Sequence, residues 1–342
     1  MFDQIIQFEN LMEAAHEAAK GKRFKAPIMR YMANVEEHVI NTQNHLIWGS
    51  YLPSQHRRFL VYEPKLRTIS APPFHDRVVH HAIHRVIEPV IDKRFIFDSY
   101  ACRTGKGTHS AANRVQKFIR ISKRNHGRTY ALKADIAKFF NSINHFTLKF
   151  VLRKHIKCKR TLNLLDKIID NSDTDTPGVG IPIGNLTSQL FANVYLNELD
   201  QFVKHEFREK HYVRYMDDFI IIHHDKAHLQ RVRNRIESFL AINLQLKTNN
   251  KTQIFPIGTA RGRALDFVGY RIYATHKLLR KCTEKRFKHK IKRLRKMYAN
   301  SEIELTDIKP IIASYIGCAS HTNSYNLLKC TLSKPFKRQS NE

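Results

Sequence analysis

The sequence predicts an α+β fold, in which a few short strands are set among many helices. Two β-rich runs, YVRY (212–215) and FIII (219–222), flank Met-Asp-Asp, which is the pattern of a hairpin with acids at its tip. A separate apolar run, RTYALKADI (128–136), indicates a further strand that ends in an acid. Apolar residues at helical spacing recur along most of the remaining chain, as in the segment 4–20.

The other elements follow from the same two kinds of periodicity. We predict helices over 4–20, 27–48, 72–91, 145–170, 186–208 and 226–242, and strands at 59–64, 252–256 and 265–273. The helix over 72–91 is expected to end near Pro89, because proline removes a helical hydrogen bond. A linker rich in turn-forming residues, NSDTDTPG (171–178), precedes the helix over 186–208.

The charge of the chain points to a polyanionic partner. Lys and Arg number 59 and Asp and Glu 30, so the 342 residues carry a formal net charge of +29. A folded surface of that charge repels itself unless it binds a polyanion, and nucleic acid is the first candidate. Hydrophobic residues make up 42% of the chain, which excludes general disorder.

Other features exclude several classes of protein. No apolar run approaches the roughly 18 residues of a membrane span, and the N-terminus lacks the basic start and cleavage site of a signal peptide. The five cysteines lie far apart, without a CxxC pair, which argues against a zinc ribbon or a disulfide framework. We therefore expect a cytoplasmic protein that makes no membrane contact.

The last part of the chain, from about 277 onward, is predicted to be helical and basic. Residues 277–296 hold eleven Lys or Arg and one acid. Phe287, Ile291, Leu294 and Tyr298 fall on one face of such a helix, which can therefore bury one side and expose a basic one.

Three carboxylates stand out from the other acids. Asp135 closes the apolar run in LKADIAKFF, and Asp217 and Asp218 sit together in RYMDDFIII. A solvated turn is the commoner explanation of an Asp pair. Here, however, adjacent carboxylates between apolar strands repel each other, and a hard cation such as Mg²⁺ would offset that repulsion. Two such ions about 3.5–4 Å apart stabilise the attacking and leaving oxygens of phosphoryl transfer. The pattern favours a nucleotidyl-transfer site.

At this point the sequence resembles a known family, because YMDD (215–218) is the signature of reverse transcriptase palm domains. Five further segments resemble blocks of that family in the expected order: EPKLRTIS (63–70), LKADIAKFFNSI (132–143), GIPIGNLTSQLFANVYLNELD (180–200), LQLKTNNKT (244–252) and LDFVGYRI (265–272). The first resembles the fingers block that binds triphosphate, the second the first catalytic block, and the third the template block. The resemblance covers about 55–340.

The resemblance implies a right-hand polymerase with fingers, palm and a short helical basic thumb. The expected units are an N-terminal helical segment (1–50), the first part of the fingers (51–131), the palm (132–275) with the rest of the fingers (about 145–180) inserted, and the thumb (276–342). The implied activity is that of an RNA-directed DNA polymerase, which uses two Mg²⁺ ions, with Mn²⁺ as a substitute. Its partners would be dNTPs, a template RNA and the RNA/DNA duplex. We expect no RNase H, endonuclease or integrase domain.

Within reverse transcriptases, the template block is similar to that of the diversity-generating retroelement group. Most reverse transcriptases carry Gln-Gly-x-x-x-Ser-Pro there, whereas this chain has IGNLTSQ (183–189). SYACRTGKGTH (99–109) and THKLLRK (275–281) also resemble that group. Its enzymes, bacterial or phage-encoded, copy a template RNA with errors opposite adenine, and they use a small helical accessory protein that oligomerises.

The resemblance also implies roles for individual residues. Asp135 and Asp217 would hold the metals, Asp218 would complete the catalytic acids, and the backbone carbonyl of Ile136 could be a further ligand. The dNTP would meet Lys65, Arg67, Phe140 and Lys251, the template Ile183, Gly184, Ser188 and Gln189, and the primer grip would contain Gly269 and Tyr270. Simpler roles remain open: solvated edge or loop residues for Lys65, Arg67 and Lys251, core packing for Phe140, and a turn cap for Gln189.

Ile183 leads to a specific hypothesis about fidelity. A Gln at this position can hydrogen-bond near the nascent base pair, whereas an aliphatic side chain cannot. A lost hydrogen bond of about 1 kcal/mol lowers discrimination several-fold. We therefore expect Ile183 to contribute to low fidelity, although an ordinary core role is the alternative.

Other functions remain open at the level of the sequence. A retron or phage-defence reverse transcriptase would share the metal site, although YMDD and the lack of a VTG motif argue against a retron. A non-catalytic RNA-binding protein would not need all three acids, and a basic structural nucleoprotein would not explain YMDD. His80 and His84 have zinc-ligand spacing but no third ligand, so we expect surface or nucleic-acid-facing histidines.

Overall fold

The computed structural model describes residues 1–62, 66–172, 174, 176–258 and 262–338. The chain begins with four helices: α1 (Phe2–Ile5), α2 (Phe8–Ala19), α3 (Ala26–Ala33) and α4 (Val35–Ile47). The predicted helices 4–20 and 27–48 are thus each divided in two. The breaks fall at Gln7, whose ψ is 136°, and at Asn34, whose φ and ψ are −124° and 46°. Apolar spacing continues across both breaks, which is why periodicity alone predicted single helices.

A hairpin and two long helices follow. Strands β1 (Arg57–Val61) and β2 (Arg67–Ala71) pair antiparallel, and after them come α5 (Phe74–Asp92) and α6 (Thr108–His126). The predicted strand at 59–64 begins earlier and ends at Val61; residues 63–65, with Lys65, lie outside the described part. Helix α5 continues three residues past Pro89, where the proline removes one hydrogen bond near the end of the helix. Helix α6 was not predicted.

The sheet that carries the acids has four strands in the order β4-β5-β3-β6. They are β3 (Tyr130–Asp135), β4 (Tyr212–Tyr215), β5 (Asp218–His223) and β6 (Gln253–Pro256), and all neighbours are antiparallel. Strand β5 is apolar on both faces because both faces are covered. Phe219 and Ile221 belong to one hydrophobic core, and Ile220 and Ile222 to a second that includes residues of α6.

Five helices complete this part of the chain. They are α7 (Phe139–Ser142), α8 (His145–His155), α9 (Lys159–Asp170), α10 (Leu186–His205) and α11 (Lys226–Asn243). The predicted helix 145–170 is two helices, α8 and α9, separated at 156–158. Helix α10 is buried along most of its length, because α5, α8, α11 and the sheet all pack against it.

The C-terminal part combines a small sheet with a helical unit. Strands β7 (Leu265–Phe267), β8 (Tyr270–Ile272) and β9 (Lys277–Leu279) are followed by α12 (Lys281–Ala299), α13 (Leu305–Ala319) and α14 (Tyr325–Leu332). Residues 277–279, predicted to be helical, therefore form a strand. The predicted apolar face of α12 is confirmed, because Phe287, Ile291 and Leu294 are buried and Tyr298 packs beside them. No helix in the described ranges is long and apolar enough to cross a membrane.

Candidate active site

The three acids meet where β3 ends beside the β4–β5 hairpin. Asp135 is the last residue of β3 and pairs in register with Asp218, the first residue of β5. Met216 and Asp217 form the two-residue turn, and Met216 has φ +55°, which is uncommon for a residue with a side chain. The carboxyl of Asp135 lies close enough to that of Asp217 to raise its pKa. The hairpin register therefore determines which carboxylates face each other.

The electrostatics of this acid cluster differ from those of a solvated turn. Burial, followed by repulsion from Asp135, raises the pKa of Asp217 to about 6, and Arg67 opposes that rise. Burial likewise raises the pKa of Asp218 to about 7, although Lys133 lies 3.7 Å from its Oδ2 atom and lowers it. Asp218 Oδ1 is buried without a hydrogen-bond partner in the described part of the chain. The neighbouring cations, Arg67 and Lys133, therefore do not cancel the effect of burial on these two carboxyls.

Asn249 supports Asp135 and was missed by the sequence analysis. Its backbone N–H donates to the Asp135 carbonyl at 2.6 Å, and its side-chain Nδ2 donates to Asp135 Oδ2 at 3.3 Å. Ile136 pairs with Thr248 in a bridge whose hydrogen bonds are made by the flanking residues. The Ile136 carbonyl therefore points away from Thr248 and toward the hairpin side of β3. No motif indicated the role of Asn249, since it follows from a loop that contacts β3.

A buried ion pair lies beneath the hairpin. Arg214 and Asp200 are both fully buried, and two hydrogen bonds of 2.7 Å join the guanidinium to the carboxylate. The remaining Arg214 nitrogen, Nη1, donates to Asn193 Oδ1 at 3.2 Å and to the Met216 carbonyl at 3.0 Å. Tyr212 also donates to Asp200, at 2.7 Å. Arg214 thus connects the core directly to the strained residue of the turn. The sequence analysis did not identify this network either.

Magnesium is the cation that the sequence predicts at these acids. Within the described ranges, no group of three or more His, Cys, Asp or Glu side chains is arranged to hold a metal ion. The carboxyls of Asp135, Asp217 and Asp218 lie close enough to repel one another, and Asp218 Oδ1 has no hydrogen-bond partner in the described part of the chain. Because Mg²⁺ commonly takes one or two carboxylates together with substrate phosphates, this donor set fits the ion.

A basic cleft opens beside the acids. Its volume is about 520 Å³, and its described lining comes from β2, from both ends of α7 and from residues 174 and 176–183. Arg67 and Lys138 contribute positive charge to its wall, and Ile183 contributes an aliphatic side chain. Arg67 is also close enough to Asp217 to lower its pKa. A polyanionic group held in this cleft would therefore lie beside the carboxylates.

Comparison with known proteins identifies the family. Residues 62–303 match the family described as reverse transcriptase (RNA-dependent DNA polymerase). The chain belongs to the reverse transcriptase family. Protein YkfC of Escherichia coli (strain K12) is 27% identical over 300 residues, which are 73% of this chain and 77% of YkfC. The group II intron-encoded protein LtrA of Lactococcus lactis subsp. cremoris is 23% identical over 236 residues, which are 65% of this chain and 38% of LtrA.

Solved structures support the same conclusion about the fold. Apo telomerase from Candida tropicalis, truncated from the C-terminal domain, matches with a TM-score of 0.50 and 14% identity, over 71% of this chain and 60% of that one. The same telomerase in complex with a fragment of telomeric RNA also gives 0.50, with 12% identity, over 88% of this chain and 59% of that one. The prediction of a right-hand polymerase of the RNA-directed DNA polymerase family is confirmed.

In this reverse transcriptase, the template block divides between two cavities. Ile183 is half-buried, lines the basic cleft, and accepts a hydrogen bond from the Ser70 N–H at 3.3 Å. Gly184 has φ +118°, and a Cβ there would lie 3.0 Å from Ile69 Cγ2. Gln189 lines a separate cavity of about 820 Å³, and Ser188 is buried in the first turn of α10. The structure therefore brings Ile183, but not Gln189, to the cleft.

The predicted dNTP contacts are also separated. Phe140 is half-buried, packs edge-on against Phe139 with ring centroids 5.5 Å apart, and is not among the residues that line the cleft. Lys251 is exposed, and its backbone N–H donates to Asn249 Oδ1 at 3.1 Å. Only Arg67 of the described dNTP residues lines the cleft.

Of the predicted primer-grip residues, Gly269 lies in the turn between β7 and β8, and Tyr270 is the first residue of β8. Gly269 has φ +91° and accepts a hydrogen bond from the Arg280 N–H. Tyr270 is buried, and its hydroxyl lies 2.6 Å from His109 Nδ1. Lys133 connects this small sheet to the acids, because its Nζ atom donates to the Asp266 carbonyl at 2.6 Å and also faces Asp218.

The expectation for His80 is wrong. Only 2% of this residue is exposed, and its Nδ1 atom lies 2.9 Å from the Thr187 hydroxyl. Burial lowers its pKa to about 4. His80 is a core histidine between α5 and α10, since α5 packs along α10 at this point.

Proposed function

We propose that the chain copies an RNA template into DNA and does so with low fidelity, as the polymerase of a diversity-generating retroelement. The observation that carries the polymerase activity is the proximity of Asp135 and Asp217 to each other and to Arg67, which lines a basic cleft. Family membership supports it, whereas the narrower role rests on the IGNLTSQ resemblance. LtrA and the telomerases are longer than the stretch they share with this chain, so their own activities are not transferred to it.

Each proposed role uses a group of the acid cluster or of the adjoining basic cleft. Arg67 and Lys138 would hold the triphosphate in the cleft, because guanidinium and ammonium groups pair with phosphate oxygens. Asp135, Asp217, Asp218 and the Ile136 carbonyl would hold two Mg²⁺ ions. When bound, such ions activate the primer hydroxyl and stabilise the pyrophosphate that leaves.

The larger partners and the domain division are part of the same proposal. The basic face of α12 would follow the backbone of the RNA/DNA duplex, which requires charge but no reading of bases. The units 1–50, 51–131, 132–275 and 276–342 would act as N-terminal segment, fingers, palm and thumb. We further propose a structured template RNA, a small helical accessory protein that oligomerises, and action in the bacterial cytoplasm.

The position of Ile183 supports the low-fidelity role. Its side chain lines the cleft that would hold the incoming nucleotide, and its backbone is fixed to β2 by Ser70. An aliphatic group there offers no hydrogen bond to a correctly paired base. Discrimination between correct and incorrect base pairs then depends on the shape of the pair alone.

The polymerase activity is tested with purified protein, Mg²⁺, dNTPs and a pre-annealed RNA template with a DNA primer. We expect DNA synthesis by the wild type and loss of at least a hundred-fold in Asp217→Asn. Asp3→Asn is the matched control, because Asp3 is 83% exposed and lies at the N-terminus. Equal synthesis by Asp217→Asn and the wild type would contradict the proposed site.

The diversification role is tested by sequencing cDNA made on RNA from the protein's own locus. Substitutions concentrated at template adenines support it, and Ile183→Gln should reduce them several-fold while Ile183→Leu leaves them unchanged. Faithful cDNA would instead support a retron or phage-defence role. An unchanged error spectrum in Ile183→Gln would refute the part assigned to Ile183.

A further inference from the structure

A second cavity lies among the N-terminal helices, on elements that carry none of the acids. Its volume is about 450 Å³, and its walls come from α3, α4, the segment 50–52 and the start of α5. The lining consists of aromatic, imidazole and neutral polar side chains with one leucine: Tyr31, His38, Asn41, Thr42, His45, Ser50, Tyr51, Leu52 and His75. No Lys, Arg, Asp or Glu is among the described residues that line it.

One wall of this cavity is a stacked pair of rings. The rings of Tyr31 and His38 are parallel to within 19°, with centroids 4.6 Å apart, and Phe74 supports Tyr31 edge-on at 4.8 Å. Tyr31 is 8% exposed, whereas His38 is only half-buried. The His38 imidazole is therefore the outer member of a supported stack, onto which a further flat ring can be placed.

The same wall contains an unpartnered polar atom. The Tyr31 hydroxyl is buried and makes no hydrogen bond within the described part of the chain. Thr42 is close enough to lower the pKa of Tyr31 against the rise that burial causes, but the Thr42 hydroxyl donates to the His38 carbonyl at 2.8 Å. A buried hydroxyl without a partner is costly, so a ligand that hydrogen-bonds with it is favoured.

The part of the wall formed by the segment 50–52 is held in place by Asp76 and Lys167. Asp76 accepts hydrogen bonds from the Tyr51 hydroxyl at 2.7 Å and from the Ser54 N–H at 2.9 Å. Lys167 on α9 donates to the carbonyls of Gly49 and Tyr51. The cavity is consequently formed in advance, which lowers the entropic cost of binding.

We propose that this cavity binds a single unpaired base of an RNA. A base is flat and neutral, and it carries donors and acceptors along its edge, which matches a stacking ring beside hydroxyl, amide and imidazole groups. A phosphate would need cationic side chains, which the described lining lacks. The net charge of +29 brings RNA to the surface, and the cavity adds a site for one base. The inference rests on the proposed RNA partner but not on DNA synthesis.

The test uses photo-crosslinking of short single-stranded RNAs that contain 4-thiouridine or 8-azidoadenosine, with the crosslinked peptide located by mass spectrometry. Crosslinks are expected within 31–52. His38→Ala should lower the yield of this crosslink about five-fold or more, which is the lower end of the effect of losing one base stack. His16→Ala is the matched control, because His16 is an exposed histidine on α2 outside the cavity.

Other results would overturn the inference. Crosslinks confined to other peptides, or equal yields from His38→Ala and His16→Ala, would mean that no base occupies the cavity. Thermal melting of both variants shows whether either has lost its fold. A second variant, Tyr31→Phe, removes only the hydroxyl and should lower the yield of the crosslink less than His38→Ala does. DNA synthesis on the pre-annealed substrate is measured in parallel. Synthesis without the crosslink refutes this inference alone, and the crosslink without synthesis refutes the polymerase proposal alone.

Discussion

Arg214 offers the sharpest test of how the fold positions the acids. Replacing it with methionine removes four hydrogen bonds and leaves the Asp200 carboxylate fully buried without its counter-ion. Removal of one partner of a buried ion pair costs about 3–5 kcal/mol. Total stabilities of about 5–15 kcal/mol are usual, so Arg214→Met should lose a large part of the unfolding free energy. Urea titration measures that loss.

A triple variant separates stability from positioning. Asp200→Leu/Tyr212→Phe/Arg214→Met removes the ion pair and the tyrosine hydroxyl that depends on it, so no charge or hydroxyl of this group remains buried and unpaired. Replacing a buried ion pair with apolar residues of similar volume is often neutral or stabilising, and we expect an unfolding free energy within about 2 kcal/mol of the wild type. The Met216 carbonyl and the buried Asn193 Oδ1, however, both lose their donor.

The assay for positioning is primer extension by this folded triple variant. We expect kcat to fall at least ten-fold with little change in the KM for dNTP, because the hairpin turn is no longer fixed while the cleft is intact. Arg214→Lys keeps the charge but not the paired guanidinium geometry, so its kcat should lie between those of the wild type and the triple variant. A triple variant that is as stable and as active as the wild type would refute the reasoning.

Three further predictions follow from individual contacts. The folded-state pKa of His80 is lowered to about 4, so its contribution to stability is complete above pH 6.5 and is lost as the pH falls toward 4. Urea titrations should show a loss between pH 8 and 5 that is about 2 kcal/mol larger in the wild type than in His80→Gln, and equal losses would contradict this. Gly184→Ala should lower the unfolding free energy by about 1–3 kcal/mol, since φ is +118° and the new Cβ meets Ile69; an unchanged urea midpoint would contradict this. Asn249→Ala should lower kcat several-fold in primer extension, because the Asp135 carboxylate loses one hydrogen bond of about 1 kcal/mol; unchanged kcat would exclude that role.

The acids were predictable because their signal is local. Apolar runs on both sides of Met-Asp-Asp predicted the hairpin. The predicted strand 128–136 ends one residue after Asp135, which is the last residue of β3. The apolar face of α12 was likewise visible as a helical period. In each case the pattern lies within about ten residues of sequence, which is the range over which periodicity carries information.

The missed features depend on contacts between distant segments. Arg214 and Asp200 meet only because α10 passes beneath β4, and Asn249 reaches Asp135 across 114 residues of chain. Helix α6 escaped prediction for a different reason, since its buried face uses small residues such as Ala111 and Ala112 beside many basic ones. Only one face of α6 is buried, and the basic residues on its other face give the segment a low overall hydropathy.

The hairpin contains a strained backbone residue and buried carboxyls, and the rest of the fold must offset their cost in free energy. Met216 has a positive φ, and the carboxyls of Asp217 and Asp218 both have raised pKa values because they are buried close to other acids. Strained turns persist where the surrounding structure over-determines them. Here the Arg214 guanidinium, fixed by Asp200, hydrogen-bonds the strained residue from the core side, whereas a cation would act from the cleft side. The contacts of Arg214 form on folding, so the geometry of the turn is set from the core side, and a cation at the cleft side would bind to a site that is already formed.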